Sequence, residues 1–169
     1  MPRDRFRKGS RYLSESPVNK VVIDEWLEFL AVVLGEDLSR VHLSRGWTAG
    51  LLTGALGASA VTLGRRIFFS ASAWGRLADG RIEALELVAH EVVHVAQIRR
   101  LGLIRFLREY CWEYLRHRMA GRDHMQSYRA LSAEVEARRL AQLCVEAALE
   151  PTTRDRGPTG SRGSVETAG

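Results

Sequence analysis

The recurrence of apolar side chains along the chain centres on one stretch, Ile82 to Leu101. At about 100° per residue, Ile82, Leu85, Val88, Ala89, Val92 and Ala96 leave almost no polar arc, which predicts a buried central helix. Its ends are marked as well. Asp79 stands where an N-cap is wanted, Glu83 and Glu86 lie near the positive end of the dipole, and Arg99 and Arg100 precede a stop at Gly102.

Upstream, Val22, Trp26, Phe29, Leu30 and Val33 recur at helical spacing and predict a helix from Val18 to Leu34, closed by Gly35. Val41 to Leu43 reads as a short strand. No residue from Gly46 to Gly64 is charged, and Gly46, Gly50 and Gly54 recur every fourth position, as small residues do in packed membrane helices. Five glycines, three threonines and a serine dilute that stretch too far for a span. It reads instead as a short soluble helix from Thr48 to Leu56, closed by Gly57. Ala60 to Leu63 and Arg66 to Ser70 flank Gly64-Arg65, a two-residue connection with glycine first, as a type II′ hairpin wants. Ala71 to Gly80 reads as loop.

Beyond Gly102, Leu103, Leu107, Tyr110 and Tyr114 form one stripe of a helix reaching Met119, with Ile104, Cys111 and Leu115 beside it. Arg105, Arg108, Arg116 and Arg118 fall outside the stripe, so the expectation is a core helix with a solvated basic face. Gly121 to Ser127, with His124, reads as polar loop, and a last helix runs from Ser132, its expected N-cap, to Leu149 before Pro151. Residues 1–17 and 151–169 lack periodicity and predict disordered arms around one domain, 18–150.

Charge sharpens this division. Residues 1–20 hold six basic and two acidic residues, and residues 151–169 three and two, whereas residues 21–150 hold sixteen of each sign. The basic balance therefore belongs to the arms, which argues against a nucleic-acid face on the fold. Cys111 and Cys144 each fall in an apolar helical pattern and read as small buried hydrophobes, not as a disulfide framework. The arginine-rich start is followed by no apolar h-region, so the expected compartment is the cytoplasm.

The chemistry lies in His90-Glu91-Val92-Val93-His94. Residues four apart share a helix face, so both imidazoles address one point, and neutral imidazole is a good zinc ligand. Glu91 is placed to act as general base toward water at such a metal. A third protein ligand is then needed. The metzincin pattern would put glycine at 97 and histidine at 100, where this chain has Gln97 and Arg100. A downstream carboxylate remains, and Glu134 and Glu136 both qualify. They lie about equally far from the apolar face of the last helix, on opposite sides, and Glu134 could equally pair with Arg138 on the surface. The smaller neighbours Ala141 and Val145 favour Glu134 slightly.

Arg40-Val41-His42, Gly57-Ala58 through Thr62-Leu63-Gly64, Ile67-Phe68-Phe69 and Val88 through Gln97 resemble the core domain found with bacterial extracellular contractile injection systems, a zincin-like family. The segment Glu134 to Ala137, after the Leu103 to Leu107 helix, resembles its downstream part. The resemblance spans about residues 40–145 and omits the N-terminal helix and both arms. It implies an α+β fold, a small zincin-like domain with helices packed on a small sheet or hairpin. It also implies His90, His94 and a glutamate as zinc ligands, with Glu91 as base, and the match to Glu-x-x-Ala favours Glu134. The expected activity is zinc-dependent hydrolysis of peptide bonds in a peptide or protein substrate. The alternative is a non-catalytic zinc-binding assembly or cargo module with injection-system components as partners. For an oxyanion-stabilising group the residue types offer His117, His124, Tyr114 and Tyr128.

Overall fold

A computed structural model describes residues 17–150; the two expected arms lie outside the described residues, save Pro17, where the first helix begins. Helix α1, Pro17–Leu34, is closed by Gly35 at φ 65, and the Glu36 amide returns to the Ala31 carbonyl at 3.0 Å. Strand β1, His42–Ser44, and helix α2, Trp47–Leu56, follow, the latter ending on left-handed Gly57 as its sequence predicts. Strands β2, Ala60–Leu63, and β3, Arg66–Phe69, form the expected hairpin, with Gly64 at φ 63 in the turn. The sheet order is β1-β3-β2: β3 is central, antiparallel to β2 and parallel to β1. With its helices this small sheet makes an α+β domain.

Three local expectations are corrected. The stretch read as loop contains helix α3, Ala71–Ala78, whose N-cap Ser70 accepts from the Ala73 amide, so β3 stops one residue early. Asp79 therefore closes α3 instead of opening the next helix, and Arg81 takes the N-cap position without a side-chain cap. His124–Arg129 is also helical, α6, because Asp123 and Gln126 form a reciprocal capping box. In both places polar capping residues organise a helix too short for periodicity to reveal.

The central helix is α4, Ile82–Leu101, as expected. Val88, Val92 and Val95 are fully buried in a core that also holds Leu30, Ile67 and Phe69. Helix α7, Ser132–Leu149, lies along α4 more extensively than any other element. Ser132 is its first residue, not its N-cap: its amide and hydroxyl both donate to Glu113 of helix α5, Leu103–Met119, so the carboxylate serving that helix start comes from another element. Helix α5 departs most from expectation. Only Phe106 is buried on it, Leu103, Ile104, Leu107 and Leu115 are exposed, and Cys111 is exposed where Cys144 is buried. No helix among the described residues is long and apolar enough to cross a membrane.

Candidate metal centre

Because α4 is continuous through its middle, His90 and His94 stand one turn apart on the side that α7 covers, with their Nε2 atoms 3.2 Å apart. Glu134, in the first turn of α7, reaches across to them. Its Oε2 lies 3.2 Å from His90 Nε2 and its Oε1 3.3 Å from His94 Nε2. Glu136 does not join them; it accepts from Gln97 Nε2 at 2.8 Å and meets Arg100 at 3.3 Å. Of the two carboxylates that the helical wheel left level, the crossing of α7 over α4 brings Glu134, the one otherwise favoured, to the histidines.

The tautomer of His94 follows from its neighbours. The Gln97 side-chain amide group donates to the Ala133 carbonyl at 3.0 Å and to Glu136, both acceptors only. Gln97 Oε1 must then face His94 Nδ1, 2.8 Å away, and Nδ1 carries the proton. The Nε2 lone pair of His94 is thus directed at His90 and Glu134.

Electron pairs from two imidazoles and a carboxylate converge here, and buried Glu134 Oε2 meets the His90 ring at 3.2 Å as an ion-pair contact. One ligand atom from each of the three residues lies within 4.8 Å of the others, and two imidazoles with a carboxylate are a donor set that suits zinc. Without a cation a proton takes its place. Burial alone would lower the His94 pKa, but the hydrogen bond to Glu134 and the charges of Glu91 and Glu134 outweigh it and raise it. Burial likewise opposes ionisation of Glu134. His90, His94 and the neighbouring Tyr128 hydroxyl outweigh that, holding its carboxyl well below the usual carboxylate range.

Around these atoms the site is built from several elements. Tyr110 of α5 donates to Glu134 Oε1 at 2.9 Å. Phe106 sets its ring edge-on to His94, with centroids 6.1 Å apart. Burial first, and then the charge of Glu134, push both Tyr110 and Tyr128 far above the ordinary phenol pKa, so they are hydrogen-bond donors at any physiological pH. Glu91 is only 5% exposed, and Thr62 of β2 donates to its Oε2 at 2.6 Å. The hairpin therefore holds the candidate base directly.

Of the expected oxyanion donors, only Tyr128 is placed beside Glu134. Tyr114 and His124 bond each other at 2.8 Å on the surface, and His117 lies 3.9 Å from Glu113. Sequence reasoning missed Thr62, Phe106 and Tyr110, and used Gln97 only to exclude a motif. Gln97 carried a signal, since it lies one turn beyond His94; the other three come from elements whose approach to α4 no local pattern encodes.

Residues 23–102 match the family model of the eCIS core domain. No curated protein and no solved structure matches the chain. The match opens inside α1, earlier than the resemblance in the sequence suggested, and takes in the sheet and all of α4 with His90, Glu91 and His94. It closes at Gly102, before α5, α6 and α7, so Glu134 and both tyrosines lie beyond it. Over residues 23–102 the chain is thus similar to the eCIS core domain family.

Proposed function

We propose that this is a zincin-like, zinc-dependent peptide-bond hydrolase in which His90, His94 and Glu134 hold the ion and Glu91 is the general base. The observation that carries the reading is the meeting of three ligand atoms from two helices beside a buried carboxylate held by its own donor. When bound, zinc supplies Lewis acidity, polarising a carbonyl oxygen and acidifying water. Glu91 accepts the proton of the attacking water and returns it to the leaving amine. Thr62 fixes the carboxylate for that transfer, Gln97 keeps His94 in its ligating tautomer, and Tyr110 holds Glu134 toward the histidines. Tyr128, whose hydroxyl neighbours Glu134, is the donor assigned to a developing oxyanion. An extended peptide can add beside β2, which lies at an edge of the sheet and packs against α4.

The rival is a zinc-binding assembly or cargo module of an injection or toxin system, made in the cytoplasm and exported by that system. The family match supports it, and so does the depth of the centre, where His94 and Glu134 are buried. Incubating the zinc-loaded protein and Glu91→Gln with an unbiased peptide pool separates the two. Cleavage by the first alone supports the enzyme; no cleavage by either, with zinc retained, supports the module.

A further inference from the structure

Helix α5 has two apolar sides, and the fold uses one. Phe106 faces the body and is buried, while Ile104, Cys111, Leu115 and Met119 fall within an arc of about 80° centred directly opposite it. That outward arc is open: Ile104 is 86% exposed, Met119 68% and neighbouring Trp112 60%. Leaving so many large apolar side chains together in water along one helix is unfavourable and marks a surface that something covers.

The unpaired charges beside this arc are of one sign. Arg108 falls within it, Arg118 about 20° outside one edge and Arg116 about 60° beyond the other, all exposed and paired with no carboxylate among the described residues. Of the two acidic residues of α5, Glu109 borders the same groove as Arg108, Trp112 and Leu115 but is paired with Arg105 at 2.7 Å, and Glu113 holds the start of α7. The face is thus apolar and cationic, the combination that lays a helix in the interface of an anionic bilayer. We propose that α5 docks on anionic lipid, with Ile104, Leu115 and Met119 entering the boundary of the acyl chains, Trp112 at headgroup level, and the arginines on lipid phosphates.

Charge excludes the nearer occupants. A second copy on the same face would set Arg108 and Arg118 against their own counterparts with no unpaired carboxylate to meet them. The chain's own termini fit no better: residues 1–16 hold five basic and two acidic residues, and residues 151–169 three and two. A dry protein groove would bury Arg108, inside the apolar arc, at a cost that needs an acceptor in one fixed place. Mobile lipid phosphates set no such condition, because a guanidinium on a long stem reaches them from an apolar setting.

Cosedimentation of the full chain with vesicles tests this, using phosphatidylcholine alone and phosphatidylcholine with phosphatidylserine. The expected result is binding to the phosphatidylserine vesicles only, weakened by salt. The double variant Ile104→Glu/Trp112→Glu, melting as wild type, should bind them at least about tenfold more weakly. Arg108→Gln/Arg116→Gln, which leaves the apolar arc intact, should lose the preference for phosphatidylserine. A wild type that does not pellet with these vesicles overturns the proposal. Undiminished binding by the double variant also overturns it and assigns the effect to the basic N-terminal arm. Binding to soluble polyglutamate through the same residues, without binding to vesicles, would assign the face to an acidic protein instead.

Discussion

Gln97 Oε1 accepts the Nδ1 proton of His94 at 2.8 Å because the amide nitrogen of Gln97 is already committed to Ala133 and Glu136. One side chain thereby connects the surface carboxylate Glu136 to the tautomer of a buried histidine. Replacing Gln97 by Leu keeps the volume and removes both contacts. Zinc affinity should fall about 10–100-fold, the usual loss when a ligand's orienting partner goes, while Gln97→Glu, which restores an acceptor, should recover part of it. Competition with a chromophoric chelator measures both.

Thr62 predicts a different phenotype. Thr62→Val leaves the buried Glu91 carboxylate without its 2.6 Å donor, a change worth roughly 1–3 kcal/mol. Zinc content should stay at the wild-type level while the melting temperature drops, and any peptidase activity should fall in kcat more than in KM. Loss of zinc in this variant would show that Thr62 supports the ligands and not the base.

The acid–base prediction has opposite signs with and without metal. In the metal-free protein His94 has a raised pKa, so its contribution is complete below its ordinary value of 6.5 and is lost as pH rises through the folded value. Glu134 has a depressed pKa, so its contribution is present above its ordinary value of 4.5 and is lost as pH falls through the folded value. The pair therefore stabilises the metal-free fold most between those two pH values. Zinc needs neutral imidazoles, so the rise in melting temperature on adding zinc should grow between about pH 5.5 and 7.5. Calorimetric scans at several pH values, with zinc and with chelator, check both trends; a zinc effect that shrinks over that range would contradict the ligand set.

Much of this arrangement is written locally, and particular residues show where that ends. Helix α4 is legible because twenty residues repeat one apolar pattern between two glycines. Its histidines are legible because four-residue spacing survives any packing. Helix α3 hides behind a single serine cap, and reading Asp79 as the start of α4 follows from missing it. The stripe on α5 is real but covers two sides of the helix, and only tertiary packing decides that Phe106 turns inward. Glu134 and Glu136 are symmetric on a helical wheel, and the tie is broken by the line along which α7 crosses α4, a relation between elements more than thirty residues apart.

The central claim is that His90, His94 and Glu134 hold one zinc ion while Glu136 stays outside it. Elemental analysis of the purified wild type beside Glu134→Ala and Glu136→Ala, each loaded with zinc and desalted, tests it most directly. The account predicts one zinc per chain in wild type and Glu136→Ala, and little or none in Glu134→Ala. Zinc retained by Glu134→Ala and lost from Glu136→Ala, or absent from all three, would contradict it.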